Sequence, residues 1–232
     1  INNYGYGTLP NVITSAEFEK MLKSGSIVKK DGKVPQNIAI IHCVGSRNSQ
    51  YNAYCSRVCC STALKYANQI RSALPDSNIY ELYADMRSMA QGCEELYTIT
   101  SRKRVMFLMF DQENDLPVIK PASDEQQDEM VIELNEVRTR KQLEIPADMV
   151  ILMTAMDSRD ETQQVAHATG VSLCGNRFFI EKHPKLDPVA TTTGGVYIVG
   201  SCQGPKEIPD SISQSRAAAA RIMGSIDKGK AS

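Results

Sequence analysis

Short apolar runs and amphipathic stretches alternate along the first half of the chain. Residues 37–44 form a continuous apolar run rich in β-branched side chains, which is typical of a strand buried on both faces of a parallel sheet. Residues 79–84 and 105–110 predict two further strands. Helical spacing of apolar positions predicts helices over 55–73 and 92–101. This order of elements predicts an α/β domain with a doubly wound, nucleotide-binding-like sheet and right-handed crossovers.

The pattern outside this region predicts shorter elements. Thr14 or Ser15 is expected to cap a short helix that ends at Gly25. An acidic stretch at Ser123–Glu129 predicts an exposed hairpin tip, and Ser211–Ile226 predicts a helix. Additional short strands are predicted at 130–138, 149–154, 178–180 and 196–199.

Composition narrows the class of protein. The chain has 232 residues, 42% hydrophobic and 23% charged, with a net charge of −1, as in one large or two small globular domains. This charge gives no electrostatic case for nucleic acid. No apolar run approaches the ~20 residues that cross a bilayer, and no signal-peptide pattern is visible. We therefore expect a cytoplasmic protein without membrane insertion, and the absence of an initiating Met suggests a fragment or a processed product.

The seven cysteines are unevenly distributed, because four of them fall between Cys43 and Cys60. An odd count without secretion signals argues against a disulfide framework. Cys93 and Cys174 stand alone, which is typical of small buried hydrophobic residues. The clustered four are therefore the candidates for chemistry.

The spacing of these four predicts how they converge. Cys43 ends the first buried strand, where ligand crevices form in open α/β sheets. A helical turn would place Cys55 and Cys59 on one face, with Cys60 about 100° further round. Four thiolates from different directions suit a [4Fe–4S] cluster, whose negative charge the helix N-terminus and Arg57 would stabilise.

Other interpretations of the cysteines stay open at this point. Structural zinc sites use pairs spaced C-x₂₋₄-C, which the adjacent Cys59 and Cys60 fit poorly. A redox dithiol is disfavoured because neighbouring cysteines rarely form an unstrained disulfide. Buried structural cysteines are the remaining alternative. His42 precedes Cys43 on the buried strand, and we expect it to be a hydrogen-bonded core residue or to support a ligand rather than to ligate.

A glycine-containing loop near the C-terminus is the second candidate site. The predicted strand 196–199 runs through Gly200 towards the last helix, and such a turn at a helix N-terminus can hold an anionic or electron-rich ligand. In many proteins a glycine at such a turn serves only the backbone geometry. No G-x-G-x-x-G fingerprint occurs in the chain.

Three stretches together resemble a known family: 43–60, with its Cys-Val-Gly-Ser-Arg and Cys-Ser-Arg-Val-Cys-Cys segments, 178–189, and 203–211. They are similar to the A-type flavoprotein subunit of heterodisulfide reductase and to related flavoproteins of the quinone-interacting membrane-bound oxidoreductase complex. The resemblance covers nearly the whole chain and raises the case for an iron–sulfur cluster above the alternatives.

The resemblance implies a domain plan. Residues 1–35 would be a connector, 36–148 an inserted Rossmann-like domain that carries a [4Fe–4S] cluster, and 149–232 the C-terminal part of a thioredoxin-reductase-like FAD domain. The cluster ligands would be Cys43, Cys55, Cys59 and Cys60. Because the dinucleotide fingerprint is missing, only part of the FAD site is expected in this chain.

The resemblance also implies roles for other residues. Lys65 would be a catalytic lysine near the flavin, although a solvated helix lysine is an equal alternative. The FAD-contacting loop would contain Gly200, Ser201, Gln203, Gly204, Pro205 and Ile208. The expected function is electron transfer between the cluster and FAD. The expected partners are other subunits of a redox complex, including iron–sulfur carriers. Through these partners the protein would associate with a membrane-bound complex. The alternative is a non-catalytic zinc-binding or structural domain that docks a partner subunit.

Overall fold

The computed structural model describes residues 2–123 and 126–227. The strands are β1 (Val12–Thr14), β2 (Asn37–Val44), β3 (Asn78–Tyr83), β4 (Val105–Met109), β5 (Val118–Ser123), β6 (Gln126–Glu136), β7 (Lys141–Ala147) and β8 (Met149–Thr154). The helices are α1 (Ser15–Lys23), α2 (Cys59–Ala73), α3 (Cys93–Ser101), α4 (Thr162–Thr169) and α5 (Ile208–Asp227). Within the described ranges, every helix is too short or too polar to span a bilayer.

Two compact units divide the chain. The first takes in residues 1–55 and 59–155, and the second takes in 56–58 and 156–232. The first unit extends beyond the predicted range 36–148 on both sides, because β1 and β8 pair with each other inside its sheet. The proposed identity of 149–232 as part of a FAD domain stays a prediction.

A five-stranded parallel sheet forms the centre of the first unit, in the order β1-β8-β2-β3-β4. Side chains alternate across it as the strand period requires. Ile38 and Ile40 face α1 and α2, whereas Ala39 and Ile41 face the opposite side. The predicted α/β class with a parallel sheet is confirmed, and every one of these four side chains is fully buried.

The opposite face differs from a doubly wound arrangement. It is covered by a three-stranded antiparallel sheet in the order β5-β6-β7, whose Ile132, Leu134 and Ile145 pack against the parallel sheet. Strands β5 and β7 were not predicted from the sequence pattern. The predicted hairpin tip at Ser123–Glu129 includes residues 124 and 125, which lie outside the described residues, but β5 and β6 do pair antiparallel on either side of it.

Helix α2 begins at Cys59, not at Cys55 as predicted. Arg57 adopts a left-handed backbone conformation, with φ +64°, and a residue in that conformation cannot continue a right-handed helix. Cys55 therefore lies in the loop before the helix. Only Cys59 and Cys60 come from the helix start, so the prediction that three thiolates share it is wrong.

The second unit contains α4, α5 and little regular strand. The predicted strands at 178–180 and 196–199 are reduced to isolated bridges, Leu173 with Phe179 and Ala190 with Tyr197. Gly200–Gln203 forms a 3₁₀ turn, and α5 follows it with Pro209 in its first turn, a position that tolerates proline. The predicted helix at Ser211–Ile226 is confirmed and is longer at its N-terminus.

Candidate metal centre

The first candidate site lies at the carboxyl end of β2. The pairing of β2 with β8 shifts register between Ile41 and Val44, and Cys43 has φ +56°. A non-glycine residue in this left-handed region costs about 1–3 kcal/mol, and such residues are concentrated at functional sites. The register shift between Ile41 and Val44 marks a β-bulge. A β-bulge redirects the side chains next to it, and here it redirects Cys43 near the end of the strand.

The loop after β2 is fixed by amide side chains. Gln112 is buried, and its Nε2 donates to the carbonyl oxygens of Cys43 and Ser46, at 3.0 Å each. Asn48 Nδ2 donates to Gln112 O at 2.7 Å, and Asn52 Nδ2 donates to Gly45 O at 3.0 Å. These bonds organise the segment that leads to Cys55. They were not predicted, since nothing local in the sequence links Gln112 to a loop more than sixty residues earlier.

Arg47 supplies positive charge beside Cys43. Its guanidinium forms two hydrogen bonds to the carboxylate of Asp85, which follows β3. Burial raises the pKa of the Cys43 thiol to about 11, while Arg47 acts in the opposite direction and the charges of Cys55 and Cys60 raise the pKa further. Arg47 is therefore the cation next to this thiol. Arg57, which was predicted to stabilise the cluster, pairs with Asp210 at 2.8 Å.

Cys60 is held by the loop after β3. The backbone N–H of Arg87 donates to Cys60 Sγ at 3.4 Å, and the thiol lies 3.8 Å from the carbonyl oxygen of Asp85. Burial acts to raise the pKa of Cys60, but hydrogen bonds from His42 and from the Arg87 backbone lower it below its ordinary value. The environment therefore favours the thiolate, which is the form that binds metal.

His42 and Glu81 form a buried pair behind Cys60. His42 Nε2 lies 2.9 Å from Glu81 Oε2, and both side chains are fully buried. Burial lowers the pKa of His42, but interactions with Cys60 and Glu81 outweigh this effect and raise it to about 9. A hydrogen-bonded core role was predicted for His42 from the sequence, and the structure confirms that role.

The four predicted ligands are not equally placed. Cys43 and Cys60 are buried, Cys55 is partly exposed, and the charges of Cys55 and Cys60 both reach Cys43. Cys59 packs into the apolar cluster beneath the helices. Within the part of the chain that the structure describes, no three Cys, His, Asp or Glu side chains are close enough to hold a metal ion. The donors nonetheless suit an iron–sulfur cluster chemically, because they are thiols and the Arg87 N–H is directed at the Cys60 sulfur.

Lys65 lies on α2 with a half-exposed side chain. Its Nζ is 2.9 Å from Glu19 Oε2 on α1 and 4.8 Å from the centre of the Tyr66 ring. These contacts fit the alternative of a surface lysine in an ion pair. A role near a flavin stays a prediction.

The predicted flavin loop belongs to the second unit. Gly200 has φ +73°, and a Cβ at this position would lie 3.4 Å from Ser211 Oγ. The Gly200 N–H donates to Gln214 Oε1 at 2.8 Å, and Gln214 Nε2 donates to Gln203 Oε1 at 2.5 Å. Gln203 in turn donates to Glu181 at 2.6 Å. A chain of amides therefore fixes this loop on the first turns of α5.

An apolar cavity of about 400 Å³ opens beside this loop. Of the predicted flavin-binding residues, Ser201 lines it, together with Phe178, Phe179, Val165 and Cys202. The other five predicted residues do not line it: Gly200, Gln203, Gly204, Pro205 and Ile208. The structure therefore brings the Phe178-Phe179 segment to the same cavity as the glycine loop, which spacing alone did not predict.

Comparison with known proteins identifies relatives of this chain. No family model matches. The chain is 35% identical, over 98% of its length, to one of the A-type iron-sulfur subunits of the CoB–CoM heterodisulfide reductase of Methanopyrus kandleri, covering 35% of that protein. It is 36% identical to the A-type component of the H(2):CoB-CoM heterodisulfide,ferredoxin reductase of Methanothermobacter thermautotrophicus, with 98% and 35% covered. The resemblance to this family is confirmed, and the chain spans about a third of the length of these relatives.

Solved structures with a similar fold are more distant in sequence. Thioredoxin reductase of Lactococcus lactis matches with a TM-score of 0.55 at 12% identity, covering 98% of this chain and 60% of that one. L-lysine 6-monooxygenase of Pseudomonas syringae matches with a TM-score of 0.54 at 10% identity, covering 97% and 60%. At these identities the likeness concerns the fold alone, and it agrees with the predicted thioredoxin-reductase-like architecture.

Proposed function

Because this chain belongs with the A-type subunits of the heterodisulfide reductases and matches about a third of their length, we propose that it is an oxidoreductase module that transfers electrons between a [4Fe–4S] cluster and FAD. The observation that carries the proposal is the placement of Cys43 at the carboxyl end of β2 and of Cys59 and Cys60 at the start of α2. The names of the relatives, which include iron–sulfur and ferredoxin-reducing subunits, support the same reaction class.

The cluster ligands in this proposal are Cys43, Cys55, Cys59 and Cys60. Two features of the first unit would hold an anionic cluster: the guanidinium of Arg47 beside Cys43 and the backbone N–H of Arg87 at the Cys60 sulfur. Hydrogen bonds to sulfur and nearby positive charge stabilise the reduced, more negative state of such clusters. The cluster itself would supply one-electron chemistry when bound.

The FAD part of the proposal rests on the second unit. Gly200, Ser201, Gln203, Gly204, Pro205 and Ile208 form or flank the turn before α5. The turn is hydrogen-bonded to the start of α5 through Gln214, and a helix N-terminus is a suitable environment for an electron-rich ligand. The cavity lined by Ser201, Phe178 and Phe179 offers apolar walls for a ring system. Lys65 is proposed as the lysine that acts near the flavin, and other subunits of a redox complex are the proposed partners.

The proposal is tested by iron and sulfide analysis of protein purified without air. We expect about four irons and four sulfides per chain, as in a Cys₄ cluster. Cys60→Ser and Cys43→Ser are expected to lose most of this iron, because each removes a thiolate ligand. Cys93→Ser, on the first turn of α3, is the matched control and should retain it.

Two results would contradict the proposal. One is colourless protein that stays free of iron after anaerobic reconstitution. The other is about one zinc per chain without visible absorbance, which would favour the alternative of a structural, partner-docking domain.

A further inference from the structure

A second cavity, of about 420 Å³, lies within the second unit and shares no lining residue with the cavity at Phe178 and Phe179. One wall is α5, where the small residues Ala220, Gly224 and Ser225 leave room. Another part of the wall is the turn formed by residues 193–196. Cavities of this volume hold small organic ligands, so that the residues around it indicate which ligand chemistry it accepts.

The turn 193–196 is held in one conformation by hydrogen bonds. Val196 N–H donates to Thr193 O at 3.2 Å, and the buried Thr191 hydroxyl donates to the carbonyl oxygens of the same two residues, at 2.9 and 3.0 Å. Gly195 has φ +77°, a backbone conformation that favours glycine. Within the described residues, the N–H groups of Gly194 and Gly195 donate to no acceptor. Successive unpaired N–H groups of this kind are typical of anion sites.

Two cationic side chains line the same cavity. Arg221 on α5 donates to Asp187 through Nη2 at 2.9 Å, and its Nε and Nη1 groups donate to no residue that the structure describes. Lys182 pairs with no acidic side chain in the described ranges. The Asp187 carboxylate and the negative end of the α5 dipole, equivalent to about half a charge, act against an anion. The two full positive charges outweigh them.

This set of donors fits a phosphate group. A guanidinium with unused donors, an ammonium group and backbone N–H groups are the partners that phosphate oxygens find in proteins. A phosphate group fills only a small part of the cavity. The rest of the wall includes Tyr197, Ala190 and Val196, which offer a ring and apolar surface to an organic portion of the ligand.

We propose that this cavity binds a small phosphate ester. Lys182, Arg221 and the backbone of Gly194 and Gly195 bind the phosphate, and Tyr197 contacts the organic part. The site contains none of the residues assigned to the cluster or the flavin, so this inference goes beyond the proposed function and does not depend on it.

The test is a nuclear magnetic resonance titration of the full chain with adenosine 5′-monophosphate. Saturable shifts of the Gly194 and Gly195 amide signals are expected. Inorganic phosphate should shift the same signals more weakly, and adenosine, which has no phosphate, should not shift them. Lys182→Gln and Arg221→Gln are each expected to weaken binding by about tenfold, because each removes charge-assisted hydrogen bonds.

Matched controls are Lys185→Gln and Arg216→Gln, which change exposed cations outside the cavity wall and should leave the affinity unchanged. A further variant does not weaken the fold. A Cβ at Gly224 meets no atom within 4 Å, and leucine is a better helix former than glycine. Gly224→Leu should therefore fill the cavity and block binding while thermal stability is kept.

Three results would each overturn the inference. They are the absence of saturable shifts with both phosphate compounds, equal binding of adenosine and its monophosphate, and unchanged affinity in the Lys182, Arg221 and Gly224 variants. Iron analysis of the same samples tests the proposed function separately, because loss of phosphate binding should leave the iron content unchanged.

Discussion

At the residue scale, buried polar side chains secure the ends of the strands. Glu136 ends β6 with a side chain that is only 2% exposed. It accepts hydrogen bonds from the backbone N–H groups of Thr139, at 2.6 Å, and Met109, at 3.2 Å, and from Arg138. Burial acts to raise the pKa of Glu136, but these hydrogen bonds outweigh it and lower the pKa to about 2.

This environment makes Glu136 a source of pH-dependent stability. Because the folded-state pKa lies below the unfolded value, the contribution is complete above about pH 4.5 and is lost as the pH falls towards 2. We expect Glu136→Gln to lower the free energy of unfolding by about 1–3 kcal/mol at pH 7, since two backbone donors lose a charged acceptor. Urea unfolding at pH 7 and pH 3 measures the free energy of unfolding of both proteins. The difference in this free energy between variant and wild type should shrink at pH 3. An equal difference at both pH values would contradict it.

Individual residues were partly predictable from the sequence. The four clustered cysteines and the buried His42 could be identified from spacing and from the apolar run around them. Gln112, Glu81 and Asp85 could not, because their contacts with residues 42–47 are made across the sheet. Local pattern carries no information about which strands become neighbours.

At the element scale, α1 has a complete capping box. The Thr14 hydroxyl accepts from the Glu17 N–H at 3.3 Å, and the Glu17 carboxylate accepts from the Thr14 N–H at 2.7 Å. Helix α1 contributes the fully buried Phe18 to the core between the helices and the sheet, so that the cap stabilises part of the core as well as the helix itself.

We expect Thr14→Ala to destabilise the protein by about 1 kcal/mol, as is typical for the loss of an N-cap hydroxyl. Thr14→Ser keeps the hydroxyl and should cost much less. Thermal unfolding of the two variants makes the comparison. Equal losses in the alanine and serine variants would show that the methyl group, not the cap, is important here.

Among the elements, β2, β3 and β4 were predictable from their runs of apolar residues, although Met106 of β4 is exposed. Helices α1, α3 and α5 were predictable as well. Strands β5 and β7 were missed. They are the edge strands of the antiparallel sheet and contain Pro121 and Pro146, which weaken a strand pattern in sequence although edge positions tolerate proline. The start of α2 was misplaced because the left-handed backbone of Arg57 leaves no trace in the apolar periodicity.

At the scale of the whole molecule, the chain consists of two units with different kinds of candidate site. The first carries the four clustered cysteines, and the second carries the glycine loop and its cavity. The sequence predicted the α/β class of the first unit, but not that a β-sheet would cover one face. That outcome depends on how residues 118–147 pair with each other, which is a long-range property. The chain spans about a third of the length of its curated relatives.

The central claim is that the clustered cysteines bind a [4Fe–4S] cluster. The most direct measurement is the electron paramagnetic resonance spectrum of protein purified without air and then reduced. We predict a signal of about one unpaired electron per chain, as expected for a reduced [4Fe–4S] cluster, that disappears in Cys60→Ser and persists in Cys93→Ser. A reduced protein without a signal, or a signal that survives Cys60→Ser unchanged, would contradict the account.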